Sequence, residues 1–189
     1  MTYNISKYIC YIIFKIFFRL KVEGLENIPK SGSFILAANH VSHFDPPVVG
    51  SVCPRIIRTM AKEELFSVPF LSWYLKQIKS IRVKRTGNSV VGLREALKVL
   101  KKEPVLLFPQ GTRSADYESF KGGVGFLVKK SGLPVIVAKV SGTDKAFPKG
   151  KRFPRFTGIF VKFSLVSQLN FEDDYAQIAA QIADAIKTL

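Results

Sequence analysis

Cysteine and histidine are scarce in these 189 residues, two of each, and acids are few: 14 Asp and Glu against 29 Lys and Arg. Cys10 and Cys53 stand in unrelated contexts with no metal-ligand spacing. That argues against a disulfide framework or a zinc site, and a reducing compartment is the simpler expectation. The two histidines, His40 and His43, fall three residues apart in one stretch, and no Gly-x-Ser-x-Gly elbow occurs. A covalent serine route is therefore disfavoured. No metal constellation is expected. The densest apolar run, Tyr8 to Phe18, is short and broken by Lys15, too short and too charged to span a bilayer by itself. No low-complexity run occurs, which argues against disorder.

What is present is apolar and basic. Hydrophobic residues make up 47% of the chain, enough for one domain with a proper core. The formal net charge is +15, which points to a polyanionic partner: nucleic acid, an anionic membrane surface or a phosphorylated substrate. Sixteen phenylalanines and a slightly positive mean hydropathy tilt the choice towards membrane. No basic-aromatic module of the ribonucleoprotein kind is present, so nucleic acid is not the expected partner.

Residues 1–20 read as a helix. Ile5, Ile9, Ile12, Ile13, Ile16, Phe17 and Leu20 share one side, with Asn4, Lys7, Tyr8, Tyr11, Lys15 and Arg19 on the other. This is the pattern of a helix lying in the membrane interface with its cations towards the headgroups. Packing of the apolar side on the domain is the competing reading. A signal peptide is a third, against which stands the lack of a small-residue cleavage site after the apolar run.

The stretch Asn39-His40-Val41-Ser42-His43-Phe44-Asp45 follows the apolar run Phe34 to Ala38 and precedes Pro46-Pro47 and a second apolar run. The first run reads as a buried strand, and prolines suit the first turn of a helix, with Asp45 as its N-cap. On one regular helix His40 and Asp45 would point about 140° apart. A strand–turn–helix lets them meet, and a carboxylate holding an imidazole is the logic of a general base. The alternative is plainer: Asp45 only caps, and His40 is a satisfied turn residue.

Further along, residues 55–60 and 81–85 read as strands and 69–75 as a helix. Its Trp73-Tyr74 pair suits either a membrane interface or the core. Val90, Leu93, Ala96, Leu97 and Leu100 stripe a helix over 88–102. Residues 104–108 read as a strand leading into Pro109-Gln110-Gly111-Thr112-Arg113-Ser114. Residues 132–138 read as a buried strand, 141–155 as a basic loop, 156–166 as one or two strands and 173–189 as a packing helix.

With the first stretch at 39–45 and the second at 108–113, the chain resembles the glycerolipid acyltransferase family, which acylates glycerol phosphate and lysophosphatidic acid. The family carries Asn-His-four residues-Asp, then Phe-Pro-Glu-Gly-Thr-Arg, in this order. Ile81 to Arg85 resembles its second motif, a small strand ending in arginine, and Gly132 to Ala138 its fourth, with Val137 in place of the usual second proline. The match continues in Phe120-Lys121-Gly122-Gly123.

The resemblance implies acyl transfer from a thioester to the free hydroxyl of lysophosphatidic acid, giving phosphatidic acid. His40 would act as base and Asp45 would orient it and stabilise the imidazolium. In the family Arg85 is associated with the acceptor's phosphate, a task that suits a guanidinium; the plainer reading of Arg85 is a solvated edge-strand cation. Gly111, Thr112 and Arg113 would form a phosphate cradle of close backbone, hydroxyl and charge. Lys121 suits phosphate or solvent equally. Backbone N–H groups near His40 or Gly111 are candidates for the oxyanion. Gln110, which would share in positioning the substrate, departs from the family glutamate: it both donates and accepts, but cannot balance Arg85 and Arg113.

The expected fold is one α/β domain at 21–189, a mixed central sheet flanked by helices, behind an amphipathic membrane-interface helix at 1–20. The expected partners are a lysophospholipid acceptor, an anionic membrane surface and an acyl thioester, either acyl-CoA or acyl-carrier protein, with no cofactor besides. The expected location is the cytoplasmic face of a membrane, peripheral or monotopic. Two alternatives stand beside this: another lysolipid acceptor, or a non-catalytic anionic-lipid-binding module on the same fold.

Overall fold

In the computed structural model, residues 2–83, 89–111, 113, 120 and 122–189 are described. Among these described residues, seven strands make one mixed sheet. In chain order they are β1 (Lys21–Glu23), β2 (Ile35–Ala38), β3 (Arg58–Lys62), β4 (Ile81–Val83), β5 (Val105–Leu107), β6 (Val135–Ser141) and β7 (Phe160–Leu165). The spatial order is β1-β7-β6-β2-β5-β3-β4. From β6 to β4 every neighbouring pair is parallel; β7 runs antiparallel to β6, and β1 pairs parallel with β7. Parallel neighbours need crossovers, and helices supply them.

The alternation of β2 sorts the core into two layers. Leu36 and Ala38 face one side, with Val48 and Val49 of α2 (Asp45–Val52) and with Phe14 and Phe18. Ile35 and Ala37 face the other, against α4 (Ser89–Leu100), α5 (Gly123–Ser131) and α7 (Tyr175–Lys187). Because both faces are covered, β2, β5 and most of β6 are unbroken apolar runs, as expected of central parallel strands. The last helix begins with a capping box, Asp174 accepting from the N–H groups of Ala176 and Gln177. It buries Ile178, Ala179, Ile182, Ala183 and Ile186.

The first helix, α1 (Thr2–Phe17), sits against α2. Phe14 and Phe18 are buried there, the Lys7 ammonium donates to the Cys53 carbonyl, and the Ile57 N–H donates to the Tyr3 hydroxyl at 3.2 Å. Ile5, Ile9, Ile12, Ile13 and Ile16 are exposed, Ile16 to 65%. No helix among the described residues is long and apolar enough to cross a membrane.

Two elements depart from the sequence expectation, those at 55–60 and 141–155. The strand expected at 55–60 runs Arg58–Lys62, with Ile56 exposed. Arg58 enters the sheet because Glu103 holds its guanidinium at 2.5 and 2.8 Å and the Ile78 carbonyl accepts from it at 3.1 Å. A buried cation so paired masks the apolar pattern. The stretch expected as a basic loop contains a short helix, α6 (Thr143–Ala146). It follows Gly142 at φ 84°, where an added Cβ would lie 2.1 Å from the Gly158 carbonyl oxygen, so glycine alone fits. The remaining stretch forms one strand, β7. The helix expected at 69–75 is α3 (Pro69–Gln77), and Trp73 is 52% exposed rather than core.

Candidate active site

The adjacent parallel strands β6, β2 and β5 deliver their carboxyl ends to one edge of the sheet. That edge is where open α/β sheets bind ligands. Beyond β2 come His40 and Asp45; beyond β5, Gln110, Gly111 and Arg113; beyond β6, Thr143.

The chain turns sharply after β2 and brings His40 and Asp45 together. The imidazole Nδ1 lies 2.8 Å from Asp45 Oδ2. The same oxygen accepts from the backbone N–H groups of Val41 and Ser42, each at 2.7 Å, and Oδ1 accepts from the Thr143 hydroxyl at 2.6 Å. Asp45 is fully buried, and four donors compensate that burial. It is not the helix cap expected from sequence: Phe44 is the N-cap and Asp45 the first helical residue. Pro46 and Pro47 have no N–H to offer a cap, so the carboxylate turns back onto the preceding turn.

Around this pair the turn is fixed from both neighbouring strands. The Asn39 amide donates to the Val140 carbonyl at 2.9 Å and accepts from the Val140 N–H at 2.7 Å. The Ser42 hydroxyl donates to the Phe147 carbonyl at 3.1 Å. The His40 N–H donates to Gln110 Oε1 at 2.6 Å, and Gln110 is buried. The Phe108 ring lies 4.5 Å from the imidazole centroid. With Nδ1–H held by a carboxylate, the neutral ring carries its lone pair on Nε2, the arrangement of a general base. The His40 side chain is 16% exposed, so the ring reaches the edge of the protein without being swamped by water.

The loop after β5 turns tightly: the Gly111 N–H donates to the Phe108 carbonyl at 2.9 Å, with Pro109 inside the turn and Gly111 at φ 66°. His43 is exposed beside this loop. Partial burial, then the charges of Arg113, His40 and Lys62, push its pKa below the ordinary histidine value, against an opposing pull from Asp45. Arg113 and Lys62 bring positive charge to this neighbourhood, which suits an anion. Arg85, Thr112 and Lys121 lie outside the described residues.

Of the sequence-predicted residues, His40, Asp45, Gln110, Gly111 and Arg113 meet at this edge. The oxyanion candidates fare differently. The N–H groups of His40, Val41, Ser42 and Gly111 are already engaged by Gln110, Asp45 and Phe108. Sequence reasoning missed Thr143, whose partner lies 98 residues away, and Phe108 as a wall for the ring. Only the small polar residue after a Gly at a strand's carboxyl end hinted at the former. Among the described residues no group of three or more potential metal ligands occurs.

The family model for acyltransferases matches residues 19–141. A 1-acyl-sn-glycerol-3-phosphate acyltransferase of Bacillus subtilis is 31% identical over 137 residues, covering 70% of this chain and 69% of that protein. The chloroplastic 1-acyl-sn-glycerol-3-phosphate acyltransferase LPAT1 of Arabidopsis thaliana is 31% identical over 140 residues, or 71% of this chain, which spans only 39% of that protein's length. The crystal structure of the 1-acyl-sn-glycerophosphate acyltransferase PlsC of Thermotoga maritima superposes with a TM-score of 0.77 at 29% identity. That superposition covers 99% of this chain and 78% of the other.

Proposed function

The chain belongs to the acyltransferase family, and from that premise we propose that it moves a fatty acyl group from a thioester to the free hydroxyl of lysophosphatidic acid, giving phosphatidic acid for phospholipid synthesis. The observation that carries the proposal is the His40–Asp45 pair at 2.8 Å, at the sheet edge that also holds Arg113. The names of the relatives supply the substrate class.

An alcohol is a poor nucleophile at neutral pH, so a base must take its proton as attack proceeds. Nε2 of His40 takes that proton while the hydroxyl oxygen bonds to the thioester carbonyl carbon. Asp45 keeps the ring in the right tautomer and stabilises the imidazolium. When the tetrahedral intermediate collapses, the carbon–sulfur bond breaks and the imidazolium returns its proton to the departing thiolate. The products are the ester and a free thiol, so the reaction balances with no further cofactor. Acyl-CoA and acyl-carrier protein both fit as donor.

Gly111 and Arg113, with Thr112 and Arg85, hold the acceptor's phosphate. Gln110 positions the His40 backbone, which leaves the pocket more cationic than a glutamate would. The exposed isoleucines of α1 lie in the interface of an anionic membrane, where the acceptor lipid resides, and the enzyme works from its cytoplasmic face as a peripheral protein.

Product analysis with a panel of lysolipids and glycerol 3-phosphate, each with both donors, tests this. Phosphatidic acid should be the main product. Absence of phosphatidic acid with either donor, while the protein still binds anionic vesicles, would favour a lipid-binding module instead.

A further inference from the structure

Residues 145–156, Lys-Ala-Phe-Pro-Lys-Gly-Lys-Arg-Phe-Pro-Arg-Phe, contain five cations and no acid, and the chemistry above gives them no role. Lys145, Lys149, Lys151, Arg152 and Arg155 are all exposed. So are Phe153, at 75%, and Phe156, at 70%, more open than any exposed isoleucine of α1. One open phenylalanine is ordinary; two interleaved with five cations need a partner that is both apolar and anionic.

The segment is joined at both ends to parts already described. The Phe156 ring lies 5.5 Å from Phe17 and 5.7 Å from Phe18. An apolar cavity of about 410 Å³ opens along that seam, lined by residues that include Ile13, Phe14, Phe17, Phe44, Pro154 and Phe156. Between Lys145 and the other four cations, Phe147 stacks on Phe44 at 5.0 Å and its carbonyl accepts from Ser42 in the catalytic turn.

We propose that residues 145–156 are a second membrane-docking element, which meets an anionic bilayer beside α1 and holds the active-site mouth against it. The cations pair with headgroup phosphates, and Phe153 and Phe156 enter the boundary between headgroups and acyl chains, with which α1's isoleucines are continuous. An acidic carrier protein would satisfy the cations but would leave the open rings and the apolar seam unexplained. The inference rests on the acyltransferase reading only for what the docking serves.

The test is cosedimentation of the full chain with vesicles of phosphatidylcholine alone and of phosphatidylcholine mixed with phosphatidylglycerol. A variant carrying Lys149→Gln, Lys151→Gln, Arg152→Gln and Arg155→Gln should bind the anionic vesicles on the order of 10³-fold more weakly and the neutral ones unchanged. Phe153→Ser should weaken both by about threefold to tenfold. Both variants should acylate lysophosphatidic acid in detergent micelles at the wild-type rate. Vesicle binding unaltered by either variant would overturn the proposal. So would a fall in rate seen only with acyl-carrier protein as donor, which would make the segment a protein-docking site. If the wild-type chain is inactive in micelles the acyltransferase reading fails, yet the vesicle comparison still decides the docking.

Discussion

Thr143→Val removes one hydroxyl from the buried carboxylate and keeps the side chain's shape. The bond lost is 2.6 Å long, runs to a carboxylate oxygen, and lies where neither residue is exposed. Such charge-assisted bonds contribute about 1.5–3 kcal/mol. If the whole of that were felt only when the imidazolium forms, kcat would fall by about 10- to 100-fold, at about 1.4 kcal/mol per tenfold. Part of the loss falls on the ground state as well, because Asp45 is buried in both, and the backbone bonds from Val41 and Ser42 still hold Oδ2. The expected fall in kcat is therefore nearer tenfold, with KM for the acceptor little changed and Thr143→Ser close to wild type. The assay is thiol release from an acyl thioester at saturating lysophosphatidic acid. Unchanged kcat in Thr143→Val, or a loss confined to KM, would refute the idea that this hydroxyl steers the carboxylate.

Gln110→Leu should lower kcat by about tenfold, because the His40 N–H loses its acceptor in a buried site. Gln110→Glu should keep turnover and shift the choice of acceptor; a large gain in rate with lysophosphatidic acid would show the glutamine to be a handicap. Glu103→Gln should lower the melting temperature by a few degrees at neutral pH, about 1 kcal/mol for a half-exposed pair. The hydrogen bond from Arg58 holds the Glu103 carboxyl below its usual range. Its contribution is therefore present above the ordinary glutamate pKa and lost as the pH falls through the depressed one. The variant and the wild type should converge in acid, and a gap that persists there would contradict the assignment. Gly142→Ala should reduce melting temperature and kcat together, since strain at φ 84° displaces Thr143; circular dichroism and the same thiol assay read both.

The local parts of the site were legible in the chain. A buried strand, a seven-residue turn and two prolines sufficed to bring His40 and Asp45 to one place, because the four intervening residues can join them as a turn and a helix cannot. The central strands were legible too, since β2, β5 and most of β6 are apolar. What escaped were contacts set by sheet order. Nothing near residue 143 announces that β6 lies beside β2, so the Thr143 bond to Asp45 was out of reach. Gln110 looked like a lost charge, and only the neighbouring positions of β2 and β5 turn it into the acceptor for the His40 N–H. Arg58 hid where its strand begins, because its partner, Glu103, is 45 residues away. Phe153 read as part of a basic loop and Phe156 as the start of a strand; only the structure shows both rings exposed and Phe156 against Phe17.

The central claim is that His40 takes the proton from the acceptor hydroxyl, and His40→Ala tests it most directly. Phosphatidic acid formation from lysophosphatidic acid and a thioester should fall by about 10²- to 10⁴-fold, the usual range for loss of a general base. A rate within about threefold of wild type, from a variant that still binds the acceptor, would contradict it.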